Sequence, residues 1–133
     1  MDRDEIAGWL RLCATPQVGN ATARRLLAAF GPPDKVFEAS NAALAPLTTP
    51  AQRAALRAPP AGFDALLAST LDWLAAGAGM RRLFSLGDAD YPSALLQTAD
   101  PPLVLHAAGA ALTMGPLRWP DAVAIVGSRN PTP

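Results

Sequence analysis

The chain has 133 residues, of which 50% are hydrophobic and 17% are charged, and its formal net charge at pH 7 is zero. This length allows one ordinary domain, or one small domain with part of another, and the apolar content excludes wholesale disorder. A net charge of zero gives no global attraction to a polyanion, although ten of the eleven basic residues are arginines, which could form a local basic patch.

Cysteine and histidine are each present once, as Cys13 and His106. They allow no internal disulfide and no metal site with recognisable ligand spacing. No apolar run approaches the roughly 18 residues of a membrane span, and the acidic amino terminus differs from a signal peptide. We therefore expect a cytoplasmic protein with no membrane partner, metal or cofactor.

Helical signals begin at the amino terminus. Asp2 and Glu5 have the spacing of a capping box and predict a first helix from about Asp2 to Cys13. Its predicted apolar face consists of Ile6, Trp9, Leu10 and Cys13, with the cysteine buried as a small hydrophobe. Asn20 is expected to cap a second helix that Gly31 ends. The apolar positions of this helix are Ala23, Leu26, Leu27 and Phe30.

Three further helices are predicted before residue 77. A short one runs from Asp34 to Ala39, and another is opened by a capping box of Thr49 and Gln52 and continues to about Arg57. A longer helix that ends at Gly77 is defined by the apolar residues Phe63, Leu66, Leu67, Leu71 and Leu74. Residues 1–76 are therefore predicted to form an all-α domain.

The remainder of the chain changes to an α/β pattern. Strands are predicted over Arg81 to Leu86, Leu103 to Ala107 and Ala122 to Val126, with a helical turn over Tyr91 to Gln97. The third run is compact, apolar and β-branched, which is typical of a strand buried on both faces. The fold class predicted is α followed by α/β, with an incomplete second domain over residues 80–133.

Two segments have the composition of phosphate-binding loops. Gly127, Ser128 and Arg129 directly follow the predicted third strand, and they combine a bare backbone, a hydroxyl and a guanidinium. The connection Pro16–Gly19, followed by Arg24 and Arg25, is typical of a helix-hairpin-helix element, which binds nucleic acid through backbone amides. An ordinary turn in the first case and a plain αα-corner in the second remain open alternatives.

Other polar and aromatic residues favour structural roles. Asp88, Asp90 and Asp100 each lie beside a turn residue, where carboxylates commonly cap the backbone. Trp9 and Trp73 are expected in the core, and His106 has no partner at ligand spacing. The sequence therefore predicts no catalytic residue and no metal-binding residue.

The order of motifs resembles the DprA/Smf family, the bacterial DNA-processing proteins of natural transformation. The matching segments are RRLLAAFG (Arg24 to Gly31), LGDADYPSALL (Leu86 to Leu96), DPPLVLHAAG (Asp100 to Gly109) and VAIVGSR (Val123 to Arg129). The helical opening with Pro16, Val18 and Gly19 also fits, except that Gln17 stands where the hairpin usually has glycine.

This resemblance implies a SAM-like or helix-hairpin-helix domain followed by an extended Rossmann-like domain. It also implies binding of single-stranded DNA, homodimerisation of the full-length form, and help in loading the recombinase RecA onto incoming strands. Gly127, Ser128 and Arg129 would contact DNA phosphates, and Tyr91 with Pro92 would serve packing. Since the family pattern continues beyond Arg129, the chain is expected to be an amino-terminal fragment that binds DNA weakly.

Two other functions stay open. A phosphoribohydrolase-type enzyme with a Rossmann-like fold also places a G-S-R loop after its first strand, and it would bind mononucleotides better than oligonucleotides. A stand-alone helical module formed by residues 1–76 would bind duplex DNA or a protein without the second segment.

Overall fold

The first helix, α1 (Arg3–Ala14), begins at the predicted capping box. In the computed structural model, which describes residues 1–113 and 123–125, the Asp2 carboxylate accepts hydrogen bonds from the amides of Asp4 and Glu5, and the Glu5 carboxylate accepts one from the Asp2 amide. The other described helices are α2 (Asn20–Phe30), α3 (Pro33–Glu38), α4 (Asn41–Leu44), α5 (Pro50–Leu56), α6 (Phe63–Ala75) and α7 (Ser93–Leu96), and α1 itself spans Arg3–Ala14. Short 3-10 turns cover Ala45–Leu47 and Ala110–Thr113.

Local signals placed most helix ends correctly. Thr49 and Gln52 form the predicted capping box of α5, and Gly31 ends α2 with φ at 90° while its amide donates to the Leu27 carbonyl. The prediction for the start of α2 is wrong by one residue. Gly19 is the N-cap, and the Asn20 side chain instead donates from Nδ2 to Asp100 Oδ2 at 3.1 Å.

The predicted apolar face of α1 is partly wrong. Ile6 and Leu10 are buried as expected, but Cys13 is exposed, and Leu12 is fully buried in its place. The reason is that α1 is covered on two sides. Ile6 and Leu10 pack with Leu67 of α6, whereas Leu12 belongs to a second cluster formed largely by the following helices.

Two strands form an antiparallel pair, β1 (Arg81–Ser85) and β2 (Val104–Ala108), with Leu83 opposite His106. The connection between them includes α7, which lies within the helical turn predicted over Tyr91 to Gln97. The described residues thus form a mixed, mostly helical α+β structure with a small antiparallel sheet.

The third predicted strand, Ala122 to Val126, is not found where the structure describes it. Val123, Ala124 and Ile125 have no regular secondary structure, and Val123 and Ile125 are 86% and 94% exposed. An apolar β-branched run becomes a buried strand only when a neighbouring strand supplies hydrogen bonds and other elements cover its faces. The described sheet contains only β1 and β2, and neither pairs with these three residues.

Both hydrophobic clusters contain residues from each side of the predicted boundary near Gly77. Leu103 lies in one cluster with Leu12 and Leu26, and Leu83 lies in the other with Ile6. The described strands therefore pack directly on the helices. The division of the chain into two domains at residues 76–80 stays a prediction. Across the described part of the chain, no helix has both the length and the apolar character needed to cross a bilayer.

Candidate nucleic-acid interface

The α1–α2 connection has the backbone geometry of a tight hairpin. Gln17 adopts φ of 65°, the left-handed conformation that glycine reaches most easily. The Val18 amide donates to the Thr15 carbonyl at 3.3 Å, and the Val18 side chain is buried in the core. Gln17 thus adopts the left-handed backbone conformation at the position where such a hairpin usually has glycine.

Helix α5 contacts this turn through the side chain of Gln52. The Gln52 side chain donates from Nε2 to the Gln17 carbonyl at 2.9 Å, while its Oε1 accepts from the Thr49 amide in the capping box. One side chain therefore fixes both the start of α5 and the hairpin backbone. A carbonyl held in this way helps to offset the cost of a left-handed φ at a residue with a Cβ.

We expect Gln17→Gly to stabilise the protein by about 1 kcal/mol, because glycine removes the left-handed penalty while the carbonyl bond to Gln52 is kept. Urea unfolding followed by circular dichroism measures the effect. Gln17→Ala is the matched control, since it removes the same side chain but keeps a Cβ and should give no gain. A Gln17→Gly midpoint at or below that of Gln17→Ala would contradict the strain.

The amino terminus of α2 faces solvent beside the hairpin. No side chain accepts a hydrogen bond there, because the N-cap is Gly19. Free amides and the helix dipole make such an end favourable for an anion. Arg25, in the second turn of α2, is exposed, and its Nη2 donates to Thr22 Oγ1 at 3.2 Å. Arg25 and the helix end together could contact a phosphate.

Arg24 has a different environment from Arg25. Its Nη1 contacts Asp100 Oδ1 at 2.7 Å and the Pro101 carbonyl at 3.0 Å. Asn20 donates to the other oxygen of Asp100. Hydrogen bonds from Arg24, and then from Asn20, hold the pKa of the Asp100 carboxyl below its usual value. Arg24 therefore ties α2 to the segment that enters β2, and Asp100 is an ion-pair partner rather than the turn cap predicted for it.

The Asp100 pairing should make stability depend on pH. Because the folded pKa of Asp100 lies below its unfolded value near 3.9, the stabilisation is fully present above that unfolded value and is lost as the pH falls through the folded pKa. We expect Asp100→Asn to lower the urea midpoint modestly and equally from pH 5 to 7, since the pair is exposed. The difference from wild type should vanish near pH 2. A difference that persists there would mean that the Asn20 and Arg24 contacts act without the charge.

The other two predicted caps have definite partners. Asp88 Oδ2 accepts from the Ser85 amide at 2.6 Å, which confirms its role in the turn after β1. Asp90 forms an ion pair with Arg82 at 3.1 Å. His106 is exposed, with its ring 5.4 Å from that of Trp73 in an edge contact. Within residues 1–113 and 123–125, no group of three or more potential ligands could hold a metal ion.

The predicted site residues do not all meet in one place. Arg24 and Arg25 are adjacent, but only Arg25 faces solvent without an acidic partner among the described residues. Gly127, Ser128 and Arg129 lie outside the described residues, so their predicted phosphate contacts stay a prediction. The hairpin, Arg24 and Arg25 thus form the part of the predicted site that the structure describes, and Arg24 is paired with Asp100.

Sequence reasoning missed an open groove of about 460 Å³ between α1, α2 and the turn after β1. The residues lining this Trp9 groove include Trp9, Arg24, Leu27, Gly31, Leu86 and Gly87. Trp9 was predicted in the core, and it does pack there in part, but its ring also lines the groove. Two motifs of the resemblance, RRLLAAFG and LGDADYPSALL, each contribute lining residues. The presence of these two motifs was the signal that the sequence offered for the groove.

The three described motifs of the resemblance contact each other. Arg24 of the first bonds to Asp100 and Pro101 of the third, and the Tyr91 hydroxyl of the second donates to the Pro102 carbonyl at 2.7 Å. The Leu86 amide also donates to the Leu103 carbonyl at 2.9 Å. Segments far apart in sequence therefore form one connected unit around the entry to β2.

Comparisons with known proteins identify no relative. The chain matches no protein-family model, and searches of curated proteins and of solved structures found no significant match.

Proposed function

We propose that this chain is a single-stranded DNA-binding protein of the DprA/Smf type, which acts without catalysis in natural transformation and recombination. In this role it helps to load RecA on incoming DNA. The observation that carries the proposal is the contact network of the three described motifs, with Arg24, Asp100, Tyr91 and Pro102 at its centre. Motifs that share an order in sequence and also contact each other are more specific than separate matches.

The hairpin supplies a physical route to sequence-independent binding. A glycine-like turn at Gln17, an α2 amino terminus without a side-chain cap, and the exposed Arg25 present amides and a cation on one side. Such groups contact phosphates and read no base sequence. The Trp9 groove adds an aromatic surface nearby, and stacking on aromatic rings is a common feature of single-strand binding.

The finer fold is part of the same proposal. We assign residues 1–76 to a SAM-like helix-hairpin-helix domain and residues 80–133 to part of an extended Rossmann-like domain, through which the full-length form dimerises. Gly127, Ser128 and Arg129 would add a second phosphate contact. Because few contacts are involved, affinity should be low, and the slope of log affinity against log salt should be shallow, at about 0.7 for each phosphate contact.

The test is fluorescence anisotropy with a labelled oligothymidylate at low salt. Arg25→Ala and Arg129→Ala should each weaken binding several-fold and reduce the slope of log affinity against log salt by about 0.7, the value for one phosphate contact on a single strand. Arg3→Ala is the matched control, since Arg3 is an exposed arginine at the opposite end of α1. Wild-type affinity equal to that of both test variants would overturn the proposal.

Competition separates the alternatives in the same assay. An unlabelled mononucleotide that competes better than an oligonucleotide would favour the phosphoribohydrolase-type enzyme. Duplex DNA that competes as well as a single strand, together with no effect of Arg129→Ala, would favour a helical module. The RecA role requires that the chain increase RecA ATPase activity on single strands coated with a single-strand-binding protein.

A further inference from the structure

A second cluster of arginines includes none of the residues named above for the hairpin or the Trp9 groove. Residues 39–63 contain no acidic residue but include Arg53 and Arg57, and Arg11 reaches this region from α1. The cluster of Arg11, Arg53 and Arg57 is named here the α5 arginine cluster. None of its members has been used in the proposed DNA contacts.

Arg11 is held in place by two contacts. Its Cζ lies 3.9 Å from the centre of the Phe37 ring, and its Nη2 donates to the Leu56 carbonyl at 2.8 Å. Its Nε is buried and has no hydrogen-bond partner in the part of the chain that the structure describes. Burial, and then the nearby charge of Arg57, lowers the pKa of the Arg11 guanidinium. Arg11 is therefore a cation with a restrained side chain.

Arg57 is near enough to Arg11 for its charge to act on the Arg11 guanidinium. It directly follows Leu56, whose carbonyl accepts from Arg11, and its own Nη2 donates to the Ala39 carbonyl at 3.1 Å. Ala39 in turn lies two residues after Phe37, on which Arg11 stacks. These contacts restrain the two guanidiniums near each other, while Arg57 remains exposed to solvent.

Arg53 extends the cluster along α5. It precedes Arg57 by one helical turn, so both lie on the same side of the helix. Its Nη1 donates to the Thr48 carbonyl at 2.8 Å. Each of the three arginines therefore binds a backbone carbonyl, but a guanidinium has five N–H donors, and capping a carbonyl uses only one or two of them.

The cluster has no counter-ion among the described residues. Arg24 and Arg82 each pair with an aspartate, whereas Arg11, Arg53 and Arg57 contact no carboxylate in residues 1–113 or 123–125. Like charges held together are unfavourable, and no ion pair with an acidic side chain of the described residues neutralises them. An external anion would relieve this repulsion and use the remaining donors.

We propose that the α5 arginine cluster is a binding site for a phosphate group, with Arg11 and Arg57 as its main ligands and Arg53 at its rim. A phosphate offers several acceptor oxygens in different directions, so it can accept from two guanidinium forks at once. The source of the phosphate is either a free anion or a nucleic-acid backbone, which share this chemistry. The site does not depend on the proposed function, because its residues are separate from the hairpin and from Gly127 to Arg129.

The direct test follows the arginine Nε–Hε signals by ¹⁵N–¹H NMR while sodium phosphate is added at pH 7. Arg57 and Arg11 signals should shift saturably, and sodium chloride at equal ionic strength should not reproduce the shift. Arg57→Gln should weaken phosphate binding about tenfold, as expected for loss of a charged hydrogen bond. Arg3→Gln, which removes an exposed charge from the opposite end of α1, should leave binding unchanged.

An oligothymidylate titration identifies the source. If the same two signals shift at lower oligonucleotide than phosphate concentration, the ligand is a nucleic-acid backbone, whereas a response to phosphate alone assigns a free anion. Shifts no larger than those with chloride, or equal shifts in the Arg57→Gln variant, would overturn the site. Failure of the hairpin variants in the anisotropy assay would not affect this result.

Discussion

Replacement of Phe84 by alanine is expected to lower the free energy of unfolding by about 3–5 kcal/mol. Phe84 is 0% exposed and lies inside β1, and Arg82 stacks over its ring at 4.5 Å. Its removal costs the burial of the ring and leaves a cavity that the two-stranded sheet is unable to close fully. Because small domains are typically stable by only about 5–15 kcal/mol, this loss should be large relative to the total.

Urea unfolding followed by circular dichroism and by tryptophan fluorescence measures the Phe84→Ala effect. Leu96→Ala is the control, because Leu96 lies in α7 on the same side of the predicted boundary but is 51% exposed. The control should lose less than about 1 kcal/mol. Equal losses in the two variants would mean that Phe84 is not in a packed environment.

Leu26→Ala should be the other strongly destabilising variant, with a loss of about 2–5 kcal/mol. Leu26 is 0% exposed in α2 and packs in a cluster with Leu12 and Leu103. The same urea experiment measures it, and Leu66→Ala of α6, where the leucine is 39% exposed, is the matched control. A loss below 1 kcal/mol for Leu26→Ala would contradict the described core.

The two core variants together test the boundary predicted near Gly77. Leu26 lies on the helical side and Phe84 on the other, yet Leu83 and Leu103 pack directly among helical residues. If this shared packing couples the segments, each variant shifts one common transition seen by both probes. If residues 1–76 and 80–133 are independent domains, Phe84→Ala should separate the curve into two transitions and leave the helical one unchanged.

Predictions based on near neighbours in sequence were the most accurate. The capping boxes of Asp2 with Glu5 and of Thr49 with Gln52, and the stop at Gly31, need only residues within about one turn of each other. Such signals act through backbone amides and φ angles that the local sequence specifies. Most helix ends of this chain are therefore specified by residues that are close to each other in sequence.

Predictions that depended on distant partners were less accurate. Periodicity alone favoured Cys13 over Leu12, and capping propensity alone favoured Asn20, because neither considers α3, α6 or Asp100. The apolar run of Val123 to Ile125 has strand propensity, but propensity does not supply a paired neighbour. For the candidate site, the sequence singled out both Arg24 and Arg25 but had no means to distinguish their environments.

The sequence by itself determined the helical amino-terminal part of the chain and the tight connection over Pro16–Gly19. It also determined the set of arginines from which phosphate sites could be built. What only the tertiary structure decided is how those arginines are used. Arg24 pairs with Asp100 across 76 positions of the chain, Arg25 stays exposed, and Arg11 joins Arg57 beside Phe37. The reason is that a charge is free or neutralised according to which distant segment folds against it, and no local pattern encodes that contact.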